Sequence, residues 1–136
     1  RTNMARLIKQ LNNEGKLDKA KKVIDLAIKK MPMEYYGFYT MVEPFAGGYY
    51  EVGEKEKARA ILSKLIKKYH ESLTYFGGLK TSEQNDMAVE IITNIERYRS
   101  LLLTMKNRGD NSYYEQEKAS FNNFNKRFER FNRDFE

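Results

Sequence analysis

Two stretches of the chain repeat one pattern. Residues 14–20 are matched by residues 52–58, which lie about 38 positions further along. In each stretch a glycine (Gly15, Gly53) follows an apolar helical pattern, and an alanine (Ala20, Ala58) comes five residues later. Glycine takes the left-handed conformation without steric cost, so each stretch predicts a turn between two helices. Such a recurrence is typical of stacked helical hairpins, an architecture that generally serves binding.

Composition bounds the fold class. The chain has 136 residues, 40% of them hydrophobic, which is enough for one domain with a sizeable core. Only 2 prolines and 8 glycines are present, so we predict mostly helix. The absence of cysteine excludes disulfides and thiolate metal sites. No run of about 18 apolar residues predicts a membrane span. The chain begins at Arg1 without a signal peptide, and we expect it to be a piece of a longer protein.

The net charge of +6 is unevenly distributed. Residues 1–32 carry nine Lys or Arg against three Asp or Glu, whereas residues 81–136 carry nine against ten. A basic patch can attract phosphate or acidic lipid, but a solvated lysine-rich helix face is the favoured interpretation.

Apolar periodicity predicts six helices in three antiparallel pairs. The expected spans are residues 2–14, 17–30, 40–53, 55–78, 81–106 and from about 112 onward. Capping boxes are expected at residues 40–43, 81–84 and 112–115, and Pro44 would fall in the first turn of its helix. In the last helix, aromatic residues follow one another three or four positions apart: Tyr114, Phe121, Phe124, Phe128, Phe131 and Phe135. This stripe predicts a core seam against the preceding helix, or a surface for a partner helix or second copy.

The spacing of small and large apolar residues resembles the tetratricopeptide repeat. The first repeat supplies Leu7, Leu11, Gly15, Leu17, Ala20, Ile24, Ala27 and Pro32, and the second supplies Phe45, Ala46, Tyr49, Gly53, Ala58, Leu62 and Leu65. The likeness covers the first 78 residues, whereas residues 81–136 do not match. It implies an all-α, right-handed stack in one domain, with repeat one at 1–32, repeat two at 40–78 and a longer capping hairpin at 81–136.

A narrower resemblance covers roughly the first 80 residues. Residues 1–7, 13–16, 31–32, 44–46 and 49–58 are similar to the soluble C-terminal region of a bacterial membrane-protein family related to protein O-mannosyltransferases. The resemblance implies a soluble domain of a membrane-anchored glycosyltransferase-like protein, on the periplasmic rather than the cytoplasmic side. The catalytic site of such a parent would lie upstream of this chain.

Tetratricopeptide hairpins usually bind with the concave face of the first helix of each pair. In this sequence the resemblance places there seven partner-binding candidates: Lys9, Asn12, Asn13, Glu43, Gly47, Tyr50 and Glu51. We expect the ligand to be a protein or peptide segment, or the membrane-embedded part of the same chain. A homodimer through the phenylalanine-rich last helix is a further expectation.

Little in the sequence indicates catalysis or metal binding. His70 is the only histidine, too few for a metal site or a Ser-His-Asp triad, and a satisfied surface histidine is expected. No catalytic residue, metal or cofactor is predicted. The sequence therefore predicts a non-catalytic interaction or scaffolding domain; the alternative is a substrate-binding or regulatory module of the parent enzyme. Nucleic-acid binding is disfavoured because the aromatic stripe lies in a segment that is not net basic.

Overall fold

The computed structural model describes residues 6–10, 16–30 and 39–132. Every regular element in these ranges is an α-helix, so the predicted all-α class is confirmed for them. The described helices are α1 (residues 6–10), α2 (Leu17–Lys30), α3 (Tyr39–Glu51), α4 (Lys55–Gly77), α5 (Thr81–Asp86), α6 (Ala88–Asn107), α7 (Asn111–Arg127) and α8 (Glu129–Asn132). The bounds of α2 and α4 agree with the predicted spans.

The chain divides into two compact units, unit 1 (Arg1–Leu65) and unit 2 (Ile66–Glu136). Helix α4 contributes residues to both, because the division falls inside it. The predicted organisation into one domain with two repeats and a capping hairpin stays a prediction.

Unit 1 has a core in which small side chains stand at the helix contacts. Its buried apolar residues are Ile8, Ala20, Ile24, Ala27, Phe45, Ala46, Tyr49, Ala58, Ile61, Leu62 and Leu65. Helices α2 and α3 pack together, and Gly48 marks their close approach. A Cβ atom added at Gly48 would lie 3.1 Å from both Ile24 Cδ1 and Ile8 Cγ2. Only a residue without a side chain fits there without displacing its neighbours.

The turn between α3 and α4 depends on Gly53, which has a φ of +81°. Its N–H donates to the carbonyl of Tyr50 at 3.1 Å, and the next N–H, of Glu54, donates to the carbonyl of Tyr49 at 2.8 Å. This pair of bonds is a Schellman motif, which satisfies carbonyls that the end of the helix leaves without a partner. The predicted stop at Gly53 is therefore present, whereas the matching stop at Gly15 lies outside the described residues.

The predicted position of Pro44 within its helix was wrong. Helix α3 begins at Tyr39, so Pro44 is in the second turn rather than the first. A proline there removes one backbone hydrogen bond, and the helix nevertheless continues. The residues that follow it, Phe45 and Ala46, are buried and hold this part of the helix against the core of unit 1.

Unit 2 is built around the pairing of α6 with α7. Its buried apolar residues are Ile66, Tyr69, Leu73, Phe76, Ile91, Ile95, Tyr98, Leu101, Leu102, Met105, Tyr113, Phe121, Phe128 and Phe131. A second Schellman motif joins the two helices: Gly109 has a φ of +80° and the N–H of Asp110 donates to the carbonyl of Met105 at 2.8 Å. Asp110 is also the N-cap position of α7, so the predicted cap at Ser112 was two residues late.

The predicted long helix over residues 81–106 is divided at Met87, which has a φ of −103° and a ψ of 18°. Hydrogen bonds to other helices accompany this break. Gln84 is buried, and its amide donates to the carbonyl of Phe76 at 2.9 Å, near the end of α4. Its amide oxygen accepts a bond from Arg130 at 2.9 Å. The start of α5 also differs from the predicted box: the Glu83 carboxylate accepts from the N–H of Lys80 at 3.1 Å, so the cap is Lys80 rather than Thr81.

The aromatic stripe also crosses a break. Helix α7 ends before Phe128, which has a φ of −110° and a ψ of 17°, and α8 follows at once. Phe121, Phe128 and Phe131 are buried in unit 2, in agreement with the core-seam interpretation. Phe124 and Tyr114 are partly exposed, and Phe135 lies outside the described residues. The homodimer expected through this stripe stays a prediction.

Candidate functional site

The seven predicted partner-binding residues are only partly covered by the structure. Asn12 and Asn13 lie outside the described residues. Lys9 on α1 and Glu51 on α3 are exposed, and Glu43 and Tyr50 on α3 are partly exposed. Gly47 is buried, so it does not form an exposed floor on α3. Their predicted binding role stays a prediction.

Unit 1 contains a concavity elsewhere, which we call the α2–α4 groove. Its volume is about 230 Å³. It is lined by Asp25 and Ile28 of α2, Tyr49 of α3, and Lys57, Ala60, Ile61 and Lys64 of α4. Apolar side chains therefore alternate with charged and hydroxyl groups around one small opening. None of the seven predicted residues belongs to this lining.

Asp25 organises the polar side of the groove. Its Oδ1 atom accepts a hydrogen bond from the Tyr49 hydroxyl at 2.7 Å and another from Lys57 Nζ at 2.8 Å. The Lys57 ammonium also lies 5.7 Å from the centroid of the Tyr49 ring, a cation–π contact. Three side chains from three helices are thereby held in one arrangement.

The electrostatics of this cluster favour the ionised carboxylate. Partial burial of Asp25 acts to raise its pKa, but the hydrogen bonds from Lys57 and Tyr49 and the nearby positive charges outweigh it. The pKa of Asp25 therefore lies below its ordinary value of 3.8. Beside it, Lys21 Nζ pairs with Glu54 Oε1 at 2.5 Å, and the bond to Glu54 raises the pKa of Lys21. This second pair ties α2 to the residue that precedes α4.

Unit 2 contains a polar cluster of His70, Tyr98 and Glu117. His70 Nε2 lies 2.6 Å from the Tyr98 hydroxyl, which lies 3.2 Å from Glu117 Oε2. His70 also packs against aromatic rings, with centroids 5.3 Å from that of Tyr98 and 5.2 Å from that of Phe124. The surface histidine expected from the sequence is thus half-buried and connects α4 to α6 and α7 within unit 2.

The number of protons in this cluster limits which hydrogen bonds can form at the same time. A tyrosine hydroxyl has one proton, so it cannot donate to His70 and to Glu117 at the same time. Both bonds form together when His70 Nε2 carries a proton and donates to the Tyr98 oxygen, while Tyr98 donates to the Glu117 carboxylate. Complete burial of Tyr98, and then the charge and hydrogen bond of Glu117, raise the pKa of Tyr98 above its ordinary value of 10.0.

Sequence reasoning missed both clusters because their members are far apart in the chain. Tyr49 and Lys57 lie 24 and 32 positions from Asp25, and Tyr98 lies 28 positions from His70. Each polar member resembles an ordinary surface residue when it is considered alone. One signal was available: Tyr49 and Tyr98 stand in the apolar stripes of their helices, where a buried hydroxyl requires a partner.

Two further properties concern residues 6–10, 16–30 and 39–132. This part of the chain has no group of three or more His, Asp or Glu placed to hold a metal ion. Within the same ranges, no helix has both the length and the apolar character that crossing a membrane requires. Comparison with protein-family models, with curated protein sequences and with solved structures finds no match for this chain.

Proposed function

We propose that this chain is a protein-interaction domain that binds a short segment of a partner protein in the α2–α4 groove. The observation that carries the proposal is the groove itself, in which an apolar floor lies beside a fixed polar cluster. The domain would act by holding its partner in place rather than by chemical catalysis.

The size of the groove favours a peptide over a small metabolite. Sites for drug-sized molecules have volumes of roughly 300–1,000 Å³ and enclose most of their ligand. The groove has about 230 Å³, so it fits one or two side chains of a longer segment. Ile28 and Ile61 would contact an apolar side chain of that segment.

The polar cluster would set the orientation of the bound segment. Lys57 has three N–H donors, and Asp25 accepts one of them. Its remaining donors have no hydrogen-bond partner among the described residues, so they can bond to a carbonyl or carboxylate of the segment. Because Asp25 and the Tyr49 ring hold the ammonium in place before binding, less side-chain freedom is lost when the complex forms.

The proposal includes a tetratricopeptide-like arrangement of unit 1 in a right-handed hairpin stack. Its support is the set of small residues at the helix contacts: Ala20, Ala46 and Ala58 are completely buried, and Gly48 permits close approach. The three alanines, but not Gly48, stand at positions of the repeat pattern described above. Tetratricopeptide domains generally present binding surfaces for other proteins.

A second part of the proposal concerns the parent protein. The sequence resemblance over roughly the first 80 residues supports a soluble, periplasmic domain of a membrane-anchored glycosyltransferase-like protein. The coding sequence upstream of Arg1 tests this part directly. Multiple predicted membrane spans there are expected, and a soluble protein or an unrelated membrane protein would contradict it.

Peptide selection tests the binding function. A random-peptide phage library is selected on the purified chain, and the affinities of the recovered peptides are measured by fluorescence polarisation. The Ala60→Arg variant places a long cationic side chain in the groove at an exposed position, so it should weaken binding by about tenfold or more without disturbing the core.

Ser63→Arg is the matched control, since Ser63 is exposed on the same helix but does not line the groove. It adds the same charge and should leave the affinities within about twofold. Recovery of no binding peptide, or equal binding by Ala60→Arg and Ser63→Arg, would contradict the proposed site.

A further inference from the structure

Unit 2 has a second concavity, between α6 and α7, which we call the α6–α7 groove. Its volume is about 210 Å³. It is lined by Arg99, Leu102, Leu103, Tyr114, Lys118, Phe121 and Asn122. Leu103 keeps 48% of its surface exposed, which is high for a leucine beside a helix pair. An apolar side chain of moderate size can therefore enter between Leu103 and the aromatic residues of α7.

Cationic side chains converge on the aromatic residues of this groove. Lys106 Nζ and Lys118 Nζ lie 5.6 Å and 5.7 Å from the centroid of the same Tyr114 ring. The Arg99 guanidinium lies 5.6 Å from the centroid of the Phe121 ring. The π-electrons of the Tyr114 ring attract both ammonium groups, so two cationic side chains contact one aromatic ring beside the groove.

The charges at the groove are unevenly compensated. Arg99 is paired with Glu96 at 2.6 Å and also donates to Asn125. In contrast, neither Lys106 nor Lys118 pairs with a carboxylate within the described part of the chain. Each of these two ammonium groups can therefore pair with a carboxylate of a ligand. Positive charge beside an apolar opening is complementary to an acidic segment with an apolar side chain.

We infer that the α6–α7 groove binds an acidic protein segment in which an aliphatic residue is flanked by carboxylates. The aliphatic side chain would enter beside Leu103, and the carboxylates would meet Lys106 and Lys118. This site is separate from the α2–α4 groove and does not depend on the function proposed for it.

A protein segment fits these observations better than nucleic acid or an anionic membrane. Both of those ligands require an extended positive surface, because each contact neutralises one of many closely spaced phosphates or headgroups. Residues 81–136 carry nine basic and ten acidic residues, so this part of the chain has no net positive charge to form such a surface. The apolar lining likewise matches the aromatic and arginine-containing centres at which protein partners usually anchor.

The test uses the full chain and a fluorescein-labelled peptide with a central leucine between two Asp-Glu pairs. Fluorescence polarisation should detect binding that weakens as salt is raised. A peptide with Asn and Gln in place of the acids, or with Gly in place of the leucine, should bind about tenfold more weakly. The double variant Lys106→Gln/Lys118→Gln should lose about the same factor for the acidic peptide.

Lys126→Gln is the matched control, because Lys126 is exposed on α7 but does not line the groove. Ala60→Arg in unit 1 should also leave this binding unchanged, which separates failure here from failure of the proposed function. An acidic peptide that does not bind, equal binding of the neutral peptide, or full binding by the double lysine variant overturns the inference. The same holds if a single-stranded oligonucleotide or phosphatidylserine vesicles bind more tightly than the peptide through Lys106 and Lys118.

Discussion

Replacing Tyr98 with phenylalanine removes one oxygen from the interior of unit 2 and leaves the ring in place. The hydrophobic contribution should stay nearly constant, because the ring is completely buried and the two side chains have nearly the same shape. What is lost is the pair of hydrogen bonds at 2.6 Å to His70 and 3.2 Å to Glu117. A hydrogen bond to a charged group such as the Glu117 carboxylate contributes roughly 1.5–3 kcal/mol, and one between neutral groups roughly 0.5–1.5 kcal/mol.

Water reduces this loss. The side chains of His70 and Glu117 keep 35% and 17% of their surface exposed, so both can be partly rehydrated when the hydroxyl is removed. We therefore expect Tyr98→Phe to lower the free energy of opening of unit 2 by about 1–2 kcal/mol. Hydrogen exchange of the α6 amides measures this quantity locally, independently of the behaviour of unit 1.

The stability of the two chains at alkaline pH tests the same prediction in a second way. Since the pKa of Tyr98 is raised in the folded state, its hydroxyl keeps its proton at a pH where the unfolded chain loses it. The resulting stabilisation is complete below the unfolded pKa of 10.0 and decreases as the pH rises above it. The stability difference between the native chain and Tyr98→Phe should therefore shrink above pH 10.

Tyr75→Phe is the control, because Tyr75 is 64% exposed in the same unit. It should change the opening free energy by less than about 0.5 kcal/mol. If Tyr98→Phe proves as stable as Tyr75→Phe at pH 7, the hydrogen bonds of the Tyr98 hydroxyl do not stabilise unit 2 and the reasoning is refuted.

Three shorter predictions concern other features. Asp25→Asn should destabilise unit 1 by no more than about 1 kcal/mol at pH 7, because the Asp25 and Lys57 side chains are 39% and 43% exposed. Since the pKa of Asp25 is lowered, the stability difference between the native chain and Asp25→Asn should persist above pH 3.8 and disappear as the pH falls below it. Urea titrations between pH 2 and 7 measure this difference. A difference that remained at pH 2 would contradict the prediction. Gly53→Ala should lower the free energy of unfolding by about 1 kcal/mol, because a side chain is strained at a φ of +81°. Thermal unfolding measures this loss, and an unchanged midpoint would show that the turn relaxes. Gln84→Leu should lower the free energy of unfolding by about 1–3 kcal/mol and speed hydrogen exchange in α5, because the Phe76 carbonyl and Arg130 each lose one hydrogen bond. Unaltered exchange would exclude a role for Gln84 in dividing α5 from α6.

Local patterns were sufficient to predict some elements. Helix α2 begins at Leu17 and ends at Lys30 as expected, and the Gly53 turn has the geometry that the glycine implied. Helix α4 ends at Gly77, where a double glycine predicted a turn. In each case the signal is carried by adjacent residues, so no knowledge of distant contacts was needed.

The breaks at Met87 and Phe128 could not be predicted in the same way. A one-residue interruption leaves the three-and-four spacing of apolar residues almost intact, so the sequence resembles one long helix across each break. Contacts near the first break come from a distant part of the chain, such as the bond from Arg130 to Gln84, 46 positions earlier. The α2–α4 groove was missed for a similar reason, because Asp25 and Lys57 meet only after three helices have packed.

The short link between α6 and α7 has a consequence for how the chain folds. Only Arg108, Gly109 and Asp110 separate the two helices, so their pairing closes a very small loop. The entropy lost in closing a loop increases with its length, and contacts between neighbours in sequence form fastest. We therefore expect the α6–α7 hairpin to form early during refolding and to provide the nucleus on which α4 and α8 later assemble within unit 2.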